Sequence, residues 1–262
     1  IGEKATGQYG KYLAFLDNDA LVTENWLTEL VKVMEDDAKI GVAQAKILIA
    51  KDSSLLDHTG IAIDALGTWQ TTRGLKANEF KDLFEIFAAS SAGCIVRREA
   101  FNQAGGFDHD YFIYDDDTDF CFRIRLLGYK IAFVPSAIIF HSAEPIRPLA
   151  AEKLYHSVKN RMCTMLKNYE LGNLCWRFSL YLTLTFLAGI GFGIMRKIAE
   201  AKAVFRSAIY PLRNIRKIWA KRVLVQAKRR IRDSELFRSG LLRNDARPTV
   251  LDLRLKLRYL RK

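Results

Sequence analysis

The chain has 262 residues, 50% of them hydrophobic and 27% charged, with a formal net charge of +12. That length and apolar share suit one large domain, or a domain with an appendage, able to bury a sizeable core. Its four cysteines (Cys94, Cys121, Cys163, Cys175) form no Cys-x-x-Cys pair and lie near no histidine at zinc-ligand spacing, which excludes a disulfide framework and a zinc module and points to idle thiols in a reducing compartment.

The first element is the apolar run Tyr12–Leu16, which stops at Asp17 and reads as a buried strand ending in a polar loop. Thr23 then offers an N-cap, and Trp26, Leu27, Leu30, Val31 and Met34 follow at helical spacing, with Gly41 closing the helix. Residues 42–49 resume as a strand. Ile61 and Ile63 suggest another, and residues 64–82 read as a mobile polar loop carrying Trp69.

Residues 90–96 are strand-compatible, and residues 97–104 predict a short helix stopped by Gly105 and Gly106. Acids at 115–119 open a helix that ends at Gly128, where the macrodipole favours negative charge in the first turn. Residues 130–134 read as a strand broken by Pro135, and residues 137–140 lead into His141. Strands alternating with helices imply an α/β fold with a mixed sheet. From about Ala150 onward the pattern is helical, and no internal repeat or low-complexity segment is visible.

Three features carry chemistry. Asp17-Asn18-Asp19 follows the first strand, and a strand end projects carboxylates into the cleft where α/β folds hold ligands. Hard divalent cations prefer such oxygens. Taken alone, however, Asp-x-Asp is more readily a plain turn. The run Asp115-Asp116-Asp117-Thr118-Asp119 crowds four carboxylates, which raises some of their pKa values and suits a general base; the bland reading is a solvated helix start. His141 is either a further metal ligand or an ordinary surface or core histidine.

Together these residues resemble the inverting glycosyltransferases of family 2, in the rhamnosyltransferase-like and galactofuranosyltransferase-like branch. The matching pieces are the strand with Asp17-Asn18-Asp19, the stretch Ala92-Gly93-Cys94-Ile95-Val96-Arg97-Arg98-Glu99-Ala100-Phe101, and Gly105-Gly106-Phe107-Asp108. Asp116-Asp117-Thr118-Asp119 with Arg123, and Val134-Pro135 with His141, complete the set over residues 3–142. Lys159-Asn160-Arg161 and residues 221–233 are similar to the family's helical tail.

The resemblance implies a GT-A-like mixed sheet in residues 1–148 and a helical, basic, membrane-associating region in residues 149–262. It implies a nucleotide-sugar donor held by Asp17, Asn18 and Asp19 through Mn2+ or Mg2+, with Asp19, Asp17 and His141 as metal ligands. Asp117 would be the base and Asp116 would orient the acceptor. Acceptor contacts would fall to Trp69, Gly93, Asp116, Asp119 and Arg123, the acceptor being a glycan or lipid-linked saccharide of cell-surface polysaccharide synthesis. Trp69 reads equally as a sugar-stacking ring or as a pin for its loop.

Two departures stand out. Asp116 replaces the usual Glu, and the family's first strands, with their nucleobase-contacting Asp and the loop before residues 7–9, do not precede Ile1. The expectation is therefore a partial sheet, belonging to a fragment of a longer enzyme, a degenerate copy or a protein completed by a partner, and the alternative reading is an inactive remnant that binds membranes through its tail.

The charge is split along the chain. Residues 1–150 hold 15 Lys/Arg and 22 Asp/Glu, a net of −7, while residues 151–262 hold 26 and 7, a net of +19. Residues 178–195 carry no charge and are flanked on both sides by Lys and Arg. A single span would push one basic flank across the membrane, against the positive-inside tendency. The reading is attachment to the cytoplasmic face of the cell membrane, in-plane ahead of single-span, with a soluble core helix third. No nucleic-acid motif accompanies the basic tail, so no specific nucleic-acid partner is expected. Self-association is left open.

Overall fold

The computed structural model describes residues 10–57, 60–69, 72–142 and 151–245. Residues 7–9, the basic residues of 246–262 and the expected boundary at 148/149 lie outside the described residues. The chain forms two compact units that interleave along the sequence. The first comprises residues 1–62, 70–106 and 120–145, the second residues 63–69, 107–119 and 146–262.

The first unit is built on a seven-stranded mixed sheet. In chain order its elements are β1 (Tyr12–Leu16), β2 (Ala20–Val22), α1 (Trp26–Asp36), β3 (Ile40–Ile49), β4 (Asp52–Leu56), a 3-10 turn (Ala77–Glu79), β5 (Phe84–Glu85), β6 (Gly93–Arg97) and α2 (Arg98–Ala104). Then come α3 (Asp116–Leu126), whose first turn belongs to the second unit, and β7 (Lys130–His141). The strand order is β1-β6-β3-β7-β2, with β4 beside β3 and β5 beside β7. The long β3–β7 pair is parallel and the other pairings are antiparallel.

The core follows from periodicity. Leu30 and Met34, four apart on α1, are fully buried against Ile40, Ala43, Ala45, Ile95, Val134 and Ile139, with Trp26 partly buried beside them. Each such side chain contributes about 1.5–3 kcal/mol when fully buried. Gly41 does not close α1. The helix ends at Asp36, where Arg97 donates from Nη2 to the Met34 carbonyl at 2.6 Å, and Gly41 lies inside β3 with its missing Cβ in the space beside Tyr129. Nor does Thr23 cap the helix, because its hydroxyl donates to the Ile138 carbonyl of β7 at 3.0 Å.

Pro135 does not break β7. Ala45 pairs with Val134 and Lys46 with Ile138, so the ladder skips residues 135–137 and the missing proline N–H falls at an irregularity where no partner is required. The glycine stop of α2 is as expected: Gly105 is left-handed at φ 80° and its N–H returns to the helix.

The second unit gathers α4 (Ala151–Asn168), α5 (Leu171–Ile194), α6 (Ile198–Arg213), α7 (Ile215–Lys228) and α8 (Asp233–Arg238). The residues around 63–69 are not a mobile polar loop. Ile63, Asp64, Ala65 and Leu66 are buried, and the Asp64 carboxylate accepts from the N–H groups of Leu66 and Thr68 in a tight turn completed by left-handed Gly67. Ile61 belongs to no named strand, and Ile63 makes only isolated bridges, one of them to Trp69.

Candidate functional site

In the first unit, β1 delivers Asp17 to a turn. The Asp17 N–H donates to the Ala92 carbonyl and the Ala20 N–H to the Asp17 carbonyl, which holds Asn18 and Asp19 exposed at the strand end. β2 then pairs with the end of β7, setting Ala20 opposite His141, and the Ser142 N–H donates to the Asp19 carbonyl at 3.1 Å. The sequence-distant His141 is thereby brought to the aspartates by strand register alone.

The resulting cluster is close. One ligand atom from each of Asp17, Asp19 and His141 lies within 4.8 Å of the other two. His141 Nε2 is 3.2 Å from Asp19 Oδ1 and 3.7 Å from Asp17 Oδ2. Burial raises the Asp17 carboxyl pKa, opposed by His141 and reinforced by Asp19. On its other side, the His141 ring meets Asp57, with Nδ1 2.7 Å from Asp57 Oδ2. Both ring nitrogens thus face carboxylates, Nδ1 toward Asp57 and Nε2 toward Asp19 and Asp17. The donor set of two carboxylates and one imidazole fits a divalent cation.

The acidic run lies in the second unit at the head of α3. Tyr114 and Asp115 precede the helix with φ of 66° and 58°, two successive left-handed residues without glycine. Such conformations persist where surroundings over-determine them. Here buried Asn160 of α4 donates from Nδ2 to the carbonyls of Ile113 and Tyr114 at 2.9 and 2.8 Å. Asp117 is partly buried; burial first, then the charges of Asp116 and Asp115, push its carboxyl up to about 8. The Thr118 N–H donates to Asp117 Oδ1 at 2.7 Å. The Trp69 indole N–H donates to the Thr118 hydroxyl, so Trp69 pins its turn to the residue beside Asp117.

Three expected acceptor residues are used internally. Asp119 is fully buried, 2.9 Å from the Lys167 ammonium, and accepts from Asn168 Nδ2. Arg123 is buried and donates to the carbonyls of Ala104 and Gly106, fastening the double-glycine turn. Gly93 is buried in β6, where an added Cβ would overlap Ile139 Cδ1. Its conformation answers to packing between strands. Asp116 stays partly exposed beside Asp117.

The family model described as glycosyl transferase family group 2 matches residues 12–221, which includes both acid sets and most of the helical unit. The chain belongs to that family. Among curated members, it is 46% identical over 52 residues to the N-acetylglucosaminyl-diphospho-decaprenol L-rhamnosyltransferase of Mycobacterium tuberculosis, covering 20% of this chain and 17% of that one. It is 26% identical over 153 residues to rhamnosyltransferase WbbL of Escherichia coli, covering 55% and 56% respectively. The chain thus spans less than two thirds of either relative. Among solved structures, GalNAc-T7 with UDP, GalNAc and Mn2+ superposes with a TM-score of 0.48 at 17% identity, covering 63% of this chain and 33% of that one. Mannosyltransferase PcManGT from Pyrobaculum calidifontis, in complex with GDP-Man and Mn2+, gives 0.42 at 16%, covering 87% and 64%.

Two residues of this family-2 chain escaped sequence reasoning. Asp57 is one acid among 29 Asp and Glu, and only its place after Leu55 and Leu56 hints at burial. Asn160 was visible in Lys159-Asn160-Arg161, but as a resemblance without a role.

Proposed function

We propose that the chain moves a sugar from a nucleotide-sugar donor to a hydroxyl of a glycan or lipid-linked acceptor, with inversion, in cell-surface polysaccharide synthesis. The observation that supports this most is the convergence of Asp17, Asp19 and His141 at the ends of β1 and β7. A divalent Mn2+ or Mg2+, when bound there, supplies the positive charge that a departing diphosphate needs. Asp19, Asp17 and His141 would hold the ion, and Asn18, exposed in the same turn, would meet the donor.

Asp117 is the base. It takes the proton of the acceptor hydroxyl as that oxygen bonds to the anomeric carbon, and the bond to the diphosphate breaks with its electron pair on the leaving oxygen. A carboxyl raised to about 8 is a stronger base, once ionised, than an ordinary carboxylate. Asp116 orients the acceptor, and the Trp69 ring, held by Thr118, offers a face for a sugar.

The helical unit supports membrane attachment. α5 buries Arg177, Thr185 and Gly189 and exposes Trp176, Leu180, Phe186, Leu187, Ile190 and Ile194. Ile209 and Leu212 of α6 and Trp219, Val223 and Leu224 of α7 are also exposed. Leu174, Tyr181 and Phe192 are also buried on α5, so its inner face is mixed, but the broad outer face of large apolar side chains suits an apolar surrounding. α5 is also long and apolar enough to cross a membrane. With the basic flanks, an in-plane position on the cytoplasmic leaflet is the reading adopted.

The test is a mutant series in the full-length protein with nucleotide sugars and Mn2+. Asp117→Asn should abolish transfer and keep donor binding, whereas Asp19→Ala should weaken metal-dependent donor binding. Near-normal turnover in Asp117→Asn would overturn the base assignment.

A further inference from the structure

We infer that Asp57 is a positioning residue for His141, fixing which ring nitrogen faces the cation cluster. This rests on the cation-binding reading of Asp17, Asp19 and His141. The Asp57 side chain is buried, at the end of β4, and its Oδ2 lies 2.7 Å from His141 Nδ1.

Everything around Asp57 holds it still. Its N–H donates to the Ile47 carbonyl of β3 at 2.9 Å, and the preceding Leu56 exchanges backbone hydrogen bonds with Leu75 and Gly74. Its other oxygen, Oδ1, is 3.2 Å from Arg73 Nη1. The guanidinium meets that oxygen by charge, without a hydrogen bond, while the imidazole bonds the other. His141 is equally constrained in its backbone, paired with Ile49 on one side and Ala20 on the other. The one soft coordinate left is the ring's orientation and tautomer, and Asp57 sets it.

The chemistry follows. A carboxylate accepts hydrogen bonds only, and both ring nitrogens face one; the shorter contact, 2.7 Å to the buried Asp57 against 3.2 Å to the exposed Asp19, assigns the single proton of the neutral ring to Nδ1. In the neutral ring, Nε2 is then left with its lone pair, 3.2 Å from Asp19 Oδ1 and 3.7 Å from Asp17 Oδ2. Partners of this kind fix the tautomer of a ligating imidazole and raise its basicity, and their loss typically weakens metal affinity by about 10–100-fold. Without Asp57 the ring is free to flip or to carry its proton on Nε2, where it would face the cation with a hydrogen.

The experiment is calorimetric titration of MnCl2 into the full-length protein, as unsubstituted chain, Asp57→Asn, Asp57→Ala, Asp57→Glu and Asp117→Asn, with thermal unfolding of each in the absence of metal. The expected result is an affinity loss of about tenfold for Asp57→Asn and up to about 100-fold for Asp57→Ala. Asp57→Glu should recover part of it, and Asp117→Asn should bind as the unsubstituted chain does. Asp57→Asn and Asp57→Ala proteins that unfold normally and bind Mn2+ within about twofold of the unsubstituted chain would overturn the role of Asp57 and leave the cation site standing. No Mn2+ binding by the unsubstituted chain would overturn the cation reading itself. Should the variants not fold, nitrogen-15 NMR of the unsubstituted protein decides: the neutral His141 ring is expected to carry its proton on Nδ1, and an Nε2–H tautomer refutes the proposal.

Discussion

The Lys167 ammonium lies 2.9 Å from an Asp119 carboxylate oxygen, with both side chains inside the helical unit. The same ammonium is 2.5 Å from Asp108, which also bonds Lys221. Burial alone would raise the Asp108 carboxyl, but the two ammoniums overcome it and hold the group well below the usual carboxylate range. Lys167→Met would take the ammonium from buried Asp119 and leave Asp108 with Lys221 alone. The expected loss is about 3–5 kcal/mol in urea unfolding. A loss under about 1 kcal/mol would mean that water, not Lys167, compensates those charges.

As the proposed base, Asp117 should set a pH dependence. With its carboxyl at about 8, the group is protonated through most of the neutral range, and a base must be unprotonated to act. The expected profile of kcat/KM rises about tenfold per pH unit below about pH 8 and levels above it. Asp116→Asn removes a neighbouring negative charge and should move the rise to lower pH. A flat profile from roughly pH 6 to 9 would exclude Asp117 as the base.

Gly93→Ala tests whether that glycine serves packing. The new methyl overlaps Ile139 Cδ1, with Ile47 also near. Overpacking of this kind typically costs about 1–3 kcal/mol. Ile139→Val in the same chain should recover much of it in thermal unfolding. A fully stable Gly93→Ala protein would show that the strands yield.

Leu187 and Ile190 lie on the exposed apolar side of α5. Leu187→Glu with Ile190→Glu should sharply reduce sedimentation with vesicles containing anionic lipid, while leaving the unfolding midpoint near its original value. Neutral vesicles should bind the unsubstituted chain more weakly, by roughly 1 kcal/mol for each basic group at the surface. Equal binding by the double variant would place the membrane contact elsewhere.

Local signals in the sequence are strong where one element is self-sufficient. The strand Tyr12–Leu16 with its acidic exit, the glycine stop after Ala104 and the acid-led helix at Asp116 each depend on residues within a few positions of one another. The family's motifs also sit at such positions, so the α/β class and the candidate base and cation ligands are legible in the amino-acid order.

The readings that fail are those in which a distant partner overrides a local preference. Thr23 gives its hydroxyl to Ile138, 115 residues away, rather than to its own helix. Pro135 stays inside a strand because β3 lets the ladder skip three residues. Asp119 and Arg123, expected as acceptor contacts, are buried, with Lys167 and the Ala104 and Gly106 carbonyls as partners.

By itself, the sequence determined which residue types are present and the elements that local periodicity and turn chemistry dictate, including two carboxylate sets and a histidine suited to sugar transfer. Only the tertiary structure decided that β2 and β3 bring His141 to Asp19, and that Asp57, 84 residues before His141, stands behind its ring. Strand register and side-chain burial are properties of long-range pairing, and no window of neighbouring residues contains them.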